Sequence, residues 1–275
     1  MIIAINYSDE NFKKHQQYNT KTAYKYGKVD KVIEYSPNDI DVTFKSENKD
    51  LLSIKRGGGL WIWKPYFILK TLELMKEGDY LIYSDSGSSY CSDVHHFVHL
   101  LTSEKKDILA FMLPLLEIQW TKKETFDYFN EHDYSRNQFL ATYLFLRKSS
   151  FTVNFIKEWL ECMKNPICSS PVDNSVHTFK NFISHREDQS VLSLLCYKYG
   201  IDAHRDPSEY GDYPWLYKYM GFAWRYIKYD NSPYPRIFIN ERKQNPKYYR
   251  FKIFVKDILN KIGLFRFWFD RYYKY

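Results

Sequence analysis

Short apolar runs alternate along this chain with longer segments that carry apolar residues every three or four positions. The runs Ile2–Tyr7, Lys31–Tyr35, Tyr80–Tyr83, Ile108–Leu113 and Phe139–Leu146 have the length of buried strands. Helical spacing predicts helices over Asp9–Tyr26, Lys64–Lys76, Asp93–Leu101, Thr121–Asn130, Ser149–Met163 and Glu187–Tyr199. Start and stop signals agree with these boundaries. Ser8 or Asp9 caps the first helix and Gly27 stops it, Pro65 sits in the first turn of the second, and Gly200 follows the last. Between them, Arg56-Gly57-Gly58-Gly59 reads as a flexible break and Asn165–Asp173 as a Pro/Ser-rich loop. Alternation of this kind predicts an α/β fold with a mostly parallel sheet covered by helices.

One strand ends in a way that suggests chemistry. In Gly78-Asp-Tyr-Leu-Ile-Tyr-Ser-Asp85-Ser-Gly-Ser-Ser89 the apolar run stops at a carboxylate followed by small residues. Open α/β sheets bind ligands at the carboxyl ends of their strands. A hard oxygen ligand such as Asp85 there suits Mg²⁺ or Mn²⁺ bridging to phosphate. The alternative is an Asp that only caps the turn after it.

Composition narrows the picture. A chain of 275 residues, 44% hydrophobic and 19% aromatic, can bury a full core. The cysteines Cys91, Cys162, Cys168 and Cys196 have neither zinc nor redox-motif spacing, which fits unpaired structural thiols in a reducing compartment. No run approaches the ~18–20 apolar residues of a membrane span, so a soluble or peripheral protein is expected. The net charge of +7 is uneven. Residues Arg242–Tyr275 hold ten Lys/Arg and two Asp, or +8, and the remaining 30 Lys/Arg against 31 Asp/Glu leave −1. From Tyr248 onward, Phe251, Phe254, Val255, Ile258, Leu259 and Ile262 recur at helical spacing among Lys247, Arg250, Lys252, Lys256 and Lys261. Leu264-Phe-Arg-Phe-Trp-Phe269 adds aromatic anchors. A basic amphipathic segment of this type suits an anionic membrane surface. The alternative is a terminal helix packed on the chain's own core or on a second subunit, as in a homo-oligomer.

Three stations follow one another: Arg56-Gly-Gly-Gly-Leu-Trp-Ile-Trp63-Lys64-Pro65-Tyr66, Ser84-Asp85-Ser86-Gly87, and His185-Arg186-Glu187-Asp188-Gln189-Ser190. Together they resemble bacterial glycosyltransferases of the GT-A fold that build surface polysaccharides. The resemblance covers about Met1 to Gly211. It implies a nucleotide-sugar donor, a uridine-linked one in the first instance, and a saccharide or lipid-linked acceptor. Asp85 looks like the first acid of the family's Asp-x-Asp motif, with Gly87 in place of the second. Mn²⁺ or Mg²⁺ would then be held by Asp85, the diphosphate, waters and a distant ligand such as His204. Departure of the nucleotide leaves negative charge that a cation stabilises. Lys64, Trp63, Ser84 and Lys122 are donor-side candidates, and Asn6 and Tyr7, closing the first strand, would meet base and ribose. Asp188, or Glu187 beside it, would act as general base or orient the donor sugar. His185 and Arg186 would touch acceptor or phosphate. As plain chemistry, Asp188 is also a normal helix-capping acid, and Lys64 and Lys122 are normal helix lysines.

The expected organisation is a catalytic domain over 1–240 and a docking tail over 241–275. The expected enzyme is a hexosyltransferase in the cytoplasm, peripheral on the inner face of the plasma membrane. A catalytically degenerate sugar-binding homologue is the alternative kept open by Gly87. A nucleic-acid-binding protein using the basic tail is disfavoured because the main body is neutral and no nucleic-acid module pattern occurs.

Overall fold

The computed structural model describes residues 1–172, 179–241 and 245–264, with the side chains of 218 and 219 left aside. In chain order the principal elements are β1 (Ile2–Tyr7), α1 (Lys13–Thr22), β2 (Lys31–Tyr35), α2 (Val42–Glu47), α3 (Lys49–Leu52), α4 (Trp63–Leu74) and β3 (Tyr80–Ser84). There follow β4 (Ser88–Tyr90), α5 (His95–Glu104), β5 (Ile108–Leu116), α6 (Lys123–Tyr128), β6 (Asn137–Arg147) and α7 (Ser150–Lys164). The remainder is α8 (Glu187–Lys198), β7 (Ala203–Arg205), β8 (Phe238–Asn240) and α9 (Pro246–Lys261).

Six strands form the main sheet in the order β2-β1-β3-β6-β5-β7. The β1–β2, β1–β3 and β5–β7 pairs are parallel, while β6 runs against both β3 and β5. Five strands therefore point one way and β6 the other. The chain is α/β with a mostly parallel, helix-covered sheet, as the alternating pattern predicts. The central strands are mostly apolar and almost wholly buried because both faces are covered. Alternation sorts them between two cores. Ile3, Ile5, Leu81 and Tyr83 face α4, α7 and α8. Ile2, Ala4 and Ile82 face α5 and the aromatic segment around Tyr234 and Phe238.

Two departures from the predicted elements have physical causes. The polar helix over Asp9–Tyr26 begins as a tight turn at Glu10–Phe12, capped by Asp9, and ends in a widened turn at Ala23–Gly27. It packs on the sheet through buried Gln16, Asn19 and Thr22 rather than through apolar residues. Gln16 donates to Tyr35 O at 2.8 Å, and Asn19 to Ser84 Oγ at 3.0 Å and Ser88 O at 2.9 Å. The glycine run is a fixed turn and not a flexible break. Gly57, Gly58 and Gly59 all have positive φ, Gly59 N donates to Ile54 O at 2.8 Å, and Trp63 Nε1 donates to Gly57 O at 2.8 Å.

A second, two-stranded sheet pairs β4 with β8, so the chain just before residue 241 returns beside the Asp85 turn. Helix α9 then starts with an Asn245 cap and Pro246 in its first turn. It is anchored by Tyr249 and Ile253 against Ile239 and Cys91. Arg250 donates to Tyr90 O at 3.0 Å, and Asp257 pairs with Arg236 at 2.8 Å. Among the described residues no helix is long and apolar enough to cross a membrane. The aromatic cluster from Phe265 to Phe269 lies outside the described residues.

Candidate functional site

At the carboxyl ends of β1 and β3 the chain opens into a cavity of about 1270 Å³. Its floor holds Tyr7, Trp63, Tyr83 and Asp85. One wall is the α2–α3 arm with Lys45, Lys49 and Lys55, and Asn240 and Glu241 also line it. Tyr7 and Trp63 stack at 3.8 Å between ring centroids, and Tyr7 packs also on Phe67. Burial, with the charge of Asp9 nearby, pushes the Tyr7 phenol up to about 12. It is therefore a neutral aromatic surface at any physiological pH. The turn after Asp85 is pinned by Ser86 Oγ, which donates to the backbone oxygen of Tyr7, and by Ser88 N, which donates to Asp85 O at 3.1 Å.

Directly beneath the floor lies a charged triplet. Lys64, in the first turn of α4, is buried, with Nζ 2.5 Å from Asp188 Oδ2 and 3.4 Å from Asp85 Oδ1. It also donates to Ala141 O at 3.2 Å and lies over the Tyr83 ring at 5.3 Å and the Trp63 ring at 6.0 Å. Tyr83 Oη donates to Asp85 Oδ1 at 2.5 Å. Burial opposes the Lys64 charge, but Asp188 and Asp85 outweigh it and hold the ammonium above its ordinary range. Burial likewise pushes Asp188 up, and Lys64 pulls it back only in part. Asp85 is the one member that reaches solvent, its side chain 39% exposed against 9% for Asp188.

The sequence candidates divide accordingly. The structure brings Tyr7, Trp63, Lys64, Asp85 and Asp188 together. Glu187 adjoins them but is buried and pairs with Arg56, which reaches over from the glycine turn. Gln189 links α8 to β6, accepting from Ala141 N at 3.3 Å and donating to Gln138 at 2.6 Å. The other candidates are placed in structural roles. Asn6 is buried and donates to Asn19 at 2.8 Å, and Ser84 is buried against the same helix. Lys122 is buried away from the cavity, donating to Val172 O at 2.9 Å and pairing with Glu124 at 3.1 Å. His185 is buried against Cys168 O at 2.6 Å and accepts from Lys122 N at 3.3 Å. Arg186 stacks on Trp120 at 3.8 Å. His204 lies on the edge strand β7, 3.4 Å from Glu104 and 3.5 Å from Ser232, and burial lowers it to about 4.

The donor set does not fit a divalent cation held by the chain. Among the described residues no three His, Cys, Asp or Glu side chains converge as ligands. Lys64 stands between Asp85 and Asp188 and is ion-paired to both, so the gap between the two carboxylates already holds a cation. What remains is a single solvent-facing oxygen on Asp85.

Several cavity residues were not singled out from the sequence. Lys45 and Lys49 stand four residues apart and Lys55 follows before the glycine turn, a basic cluster that was available. Asn240 and Glu241 had none, because only the β4–β8 pairing brings them to the cavity. The boundary drawn between 1–240 and 241–275 runs through this wall.

No protein-family model and no curated protein matches the chain. Several solved structures resemble it loosely. One is the galactosyltransferase LgtC in complex with donor and acceptor sugar analogues, at 16% identity over 87% of this chain and 86% of that one, TM-score 0.45. Another is mouse xyloside xylosyltransferase 1, at 9% identity over 87% of this chain and 96% of that one, TM-score 0.44. A third is the glycosyltransferase GlyE of Streptococcus pneumoniae, at 13% identity over 88% of this chain and 54% of that one, TM-score 0.43. All three are glycosyltransferases, but the functional reading below rests on the site and not on these likenesses.

Proposed function

We propose that this chain is a glycosyltransferase that moves a sugar from a nucleoside-diphosphate donor, first of all a uridine-linked one, to a saccharide acceptor of a cell-surface glycan. The observation that carries the reading is the cavity itself. It lies at the carboxyl ends of parallel strands, where such sheets bind ligands. It has an aromatic floor, a lysine-bearing wall and the partly exposed carboxylate of Asp85 at the end of β3, with Asp9 at the rim. The base and ribose fit the apolar end formed by Phe12, Pro37 and Ile40 beside Tyr7. The phosphates fall to the lysine wall and the transferred sugar to Asp85.

Transfer breaks the bond between the anomeric carbon and the phosphate oxygen, whose electron pair leaves with the nucleotide. The acceptor hydroxyl oxygen forms the new bond and gives up its proton. Of the carboxylates lining the cavity, Glu241 is buried and Asp9 stands beside Tyr7, which leaves Asp85 at the floor to orient a sugar or to take that proton. Asp188 lies underneath and acts through Lys64, fixing where the Asp85 carboxylate stands. A panel of radiolabelled nucleotide sugars tests the reading, scored for hydrolysis with and without saccharide acceptors. Release of labelled sugar from at least one donor supports it. Binding without release would favour a sugar-binding homologue, and no binding would refute both.

The same reading places the enzyme on the inner face of the plasma membrane, beside a lipid-linked acceptor. Its support is α9, which is only half used by packing. Tyr248, Phe251, Phe254, Ile258 and Ile262 remain exposed on the helix, with Lys252 and Lys261 exposed among them. Each such cation contributes about 1 kcal/mol near an anionic surface. The intact chain should float with phosphatidylserine vesicles and release in high salt. Equal flotation of a Phe251→Ser/Phe254→Ser/Ile258→Ser variant would refute the docking.

A further inference from the structure

A diphosphate needs positive charge around it, and a divalent cation is the usual source. Here the place for such a cation is already taken. The Lys64 ammonium lies between Asp85 and Asp188, within 3.4 Å of both, and is fixed there by burial and by Ala141 O. A metal entering between these carboxylates would have to displace a side chain that belongs to the first turn of α4 and has no solvent to move into. The charge that remains available to a ligand stands elsewhere. Lys45, Lys49 and Lys55 all line the cavity from the α2–α3 arm and the residues leading to the glycine turn. All three are exposed on that arm, so none is buried in a structural pair.

Resting on the nucleotide-sugar reading above, we infer that the cavity takes its nucleoside diphosphate without a divalent cation. Lys45, Lys49 and Lys55 face the phosphates, and Lys64 fills the position between Asp85 and Asp188 that a metal would otherwise occupy. The lysine wall thereby neutralises the departing nucleotide, a task open to any fixed cation placed where charge develops. Asp85, held by Lys64 and Tyr83 rather than by a metal, keeps its outer oxygen for the sugar.

The test uses the full chain and uridine diphosphate, with affinity measured by calorimetry in chelator and again in millimolar Mn²⁺ or Mg²⁺. Affinities within about twofold of one another are expected, because no metal site has to be filled. A Lys45→Gln/Lys49→Gln/Lys55→Gln variant should lose at least tenfold in affinity in either medium, with its melting temperature unchanged because these side chains are exposed. Tightening of tenfold or more by metal would overturn the inference and leave the nucleotide-sugar reading standing. Wild-type affinity in the triple variant would overturn the role of the lysine wall. Failure of uridine, guanosine, adenosine and cytidine diphosphates to bind in any medium would overturn this inference and the nucleotide-sugar reading together.

Discussion

Replacing Lys64 by Met keeps an unbranched side chain close to the same length and removes the ammonium with its ion pairs and its bond to Ala141 O, so the variant reports what that group does. In the wild type Nζ stands 2.5 Å from Asp188, and both groups are buried. Removing one partner of a buried pair leaves the other charge uncompensated, at a cost of about 3–5 kcal/mol. Domains are stable by only about 5–15 kcal/mol, so the loss is a large share of the total. With a urea slope of about 1–3 kcal/mol/M, the unfolding midpoint should drop by roughly 1–5 M. The sign with pH follows from Asp188. Burial already holds its carboxyl above the ordinary value, and loss of Lys64 removes the main influence pulling it down. The folded state then binds the proton more tightly than the unfolded chain, whose carboxyl titrates near 4. The penalty is absent below about pH 4 and grows as pH rises through the elevated folded value. Lys64→Met should therefore be far weaker than wild type at pH 7.5 and much closer to it at pH 5. Adding Asp188→Asn should restore most of the loss, with a coupling of about 2 kcal/mol or more in the double-mutant cycle. Urea unfolding of the four proteins at both pH values is the assay. A cost below about 1 kcal/mol that does not change with pH, or strictly additive effects, would refute the reasoning about the triplet.

Other expectations concern sites around it. Glu117 is fully buried beside Thr121 and Gln138, and burial pushes it up to about 7. Its contribution to stability is present below about pH 4.5 and lost as pH rises through 7, so Glu117→Gln should exceed wild type in melting temperature at pH 8 and not at pH 5. His204, lowered by burial to about 4 from 6.5, favours the fold above pH 6.5 and loses that contribution as pH falls toward 4, so His204→Phe should flatten acid unfolding over that range. Both Gly57 and Gly58 have positive φ, at +61° and +58°, but a Cβ on Gly57 would collide with the Trp61 ring, whereas one on Gly58 meets nothing nearer than 3.8 Å. Gly58→Ala should cost about 1–3 kcal/mol for its left-handed backbone, and Gly57→Ala, which adds the collision with Trp61, should cost clearly more in chemical unfolding and weaken nucleotide binding. Equal losses would contradict the fixed geometry of the turn.

Much of the fold was legible because the strands are buried on both faces and so appear as unbroken apolar runs. Ile2–Tyr7, Tyr80–Tyr83 and Phe139–Leu146 are of this kind. Three-residue strands such as β4, β7 and β8 have no such signature. Ser88 and Ser89 read as a turn because their pairing with Asn240 and Ile239 is a contact across some 150 residues. The polar helix α1 packs by hydrogen bonds from Gln16 and Asn19, which apolar periodicity does not register. At the site, Asp85, Lys64 and Asp188 were each visible as chemistry-bearing residues at element ends. That Lys64 stands between the two acids depends on α4 and α8 meeting at β6, a tertiary fact. His185 and Lys122 are buried and hydrogen-bonded away from the cavity, a placement that their chemical type alone does not reveal. Nothing in their local sequence distinguishes a buried strut from an exposed ligand.

The central claim is that sugar transfer takes place in the cavity at Asp85, and Asp85→Asn tests it with the least disturbance. Asparagine keeps the side chain's shape and its place beside Lys64 and Tyr83, while it removes the one solvent-facing carboxylate at the cavity floor. With a labelled donor that the wild type turns over, the expected result is uridine diphosphate affinity within about threefold of wild type and transfer reduced by at least about a hundredfold, within the range that acid–base groups contribute. Transfer at the wild-type rate by a folded Asp85→Asn protein that still binds the nucleotide would contradict the account.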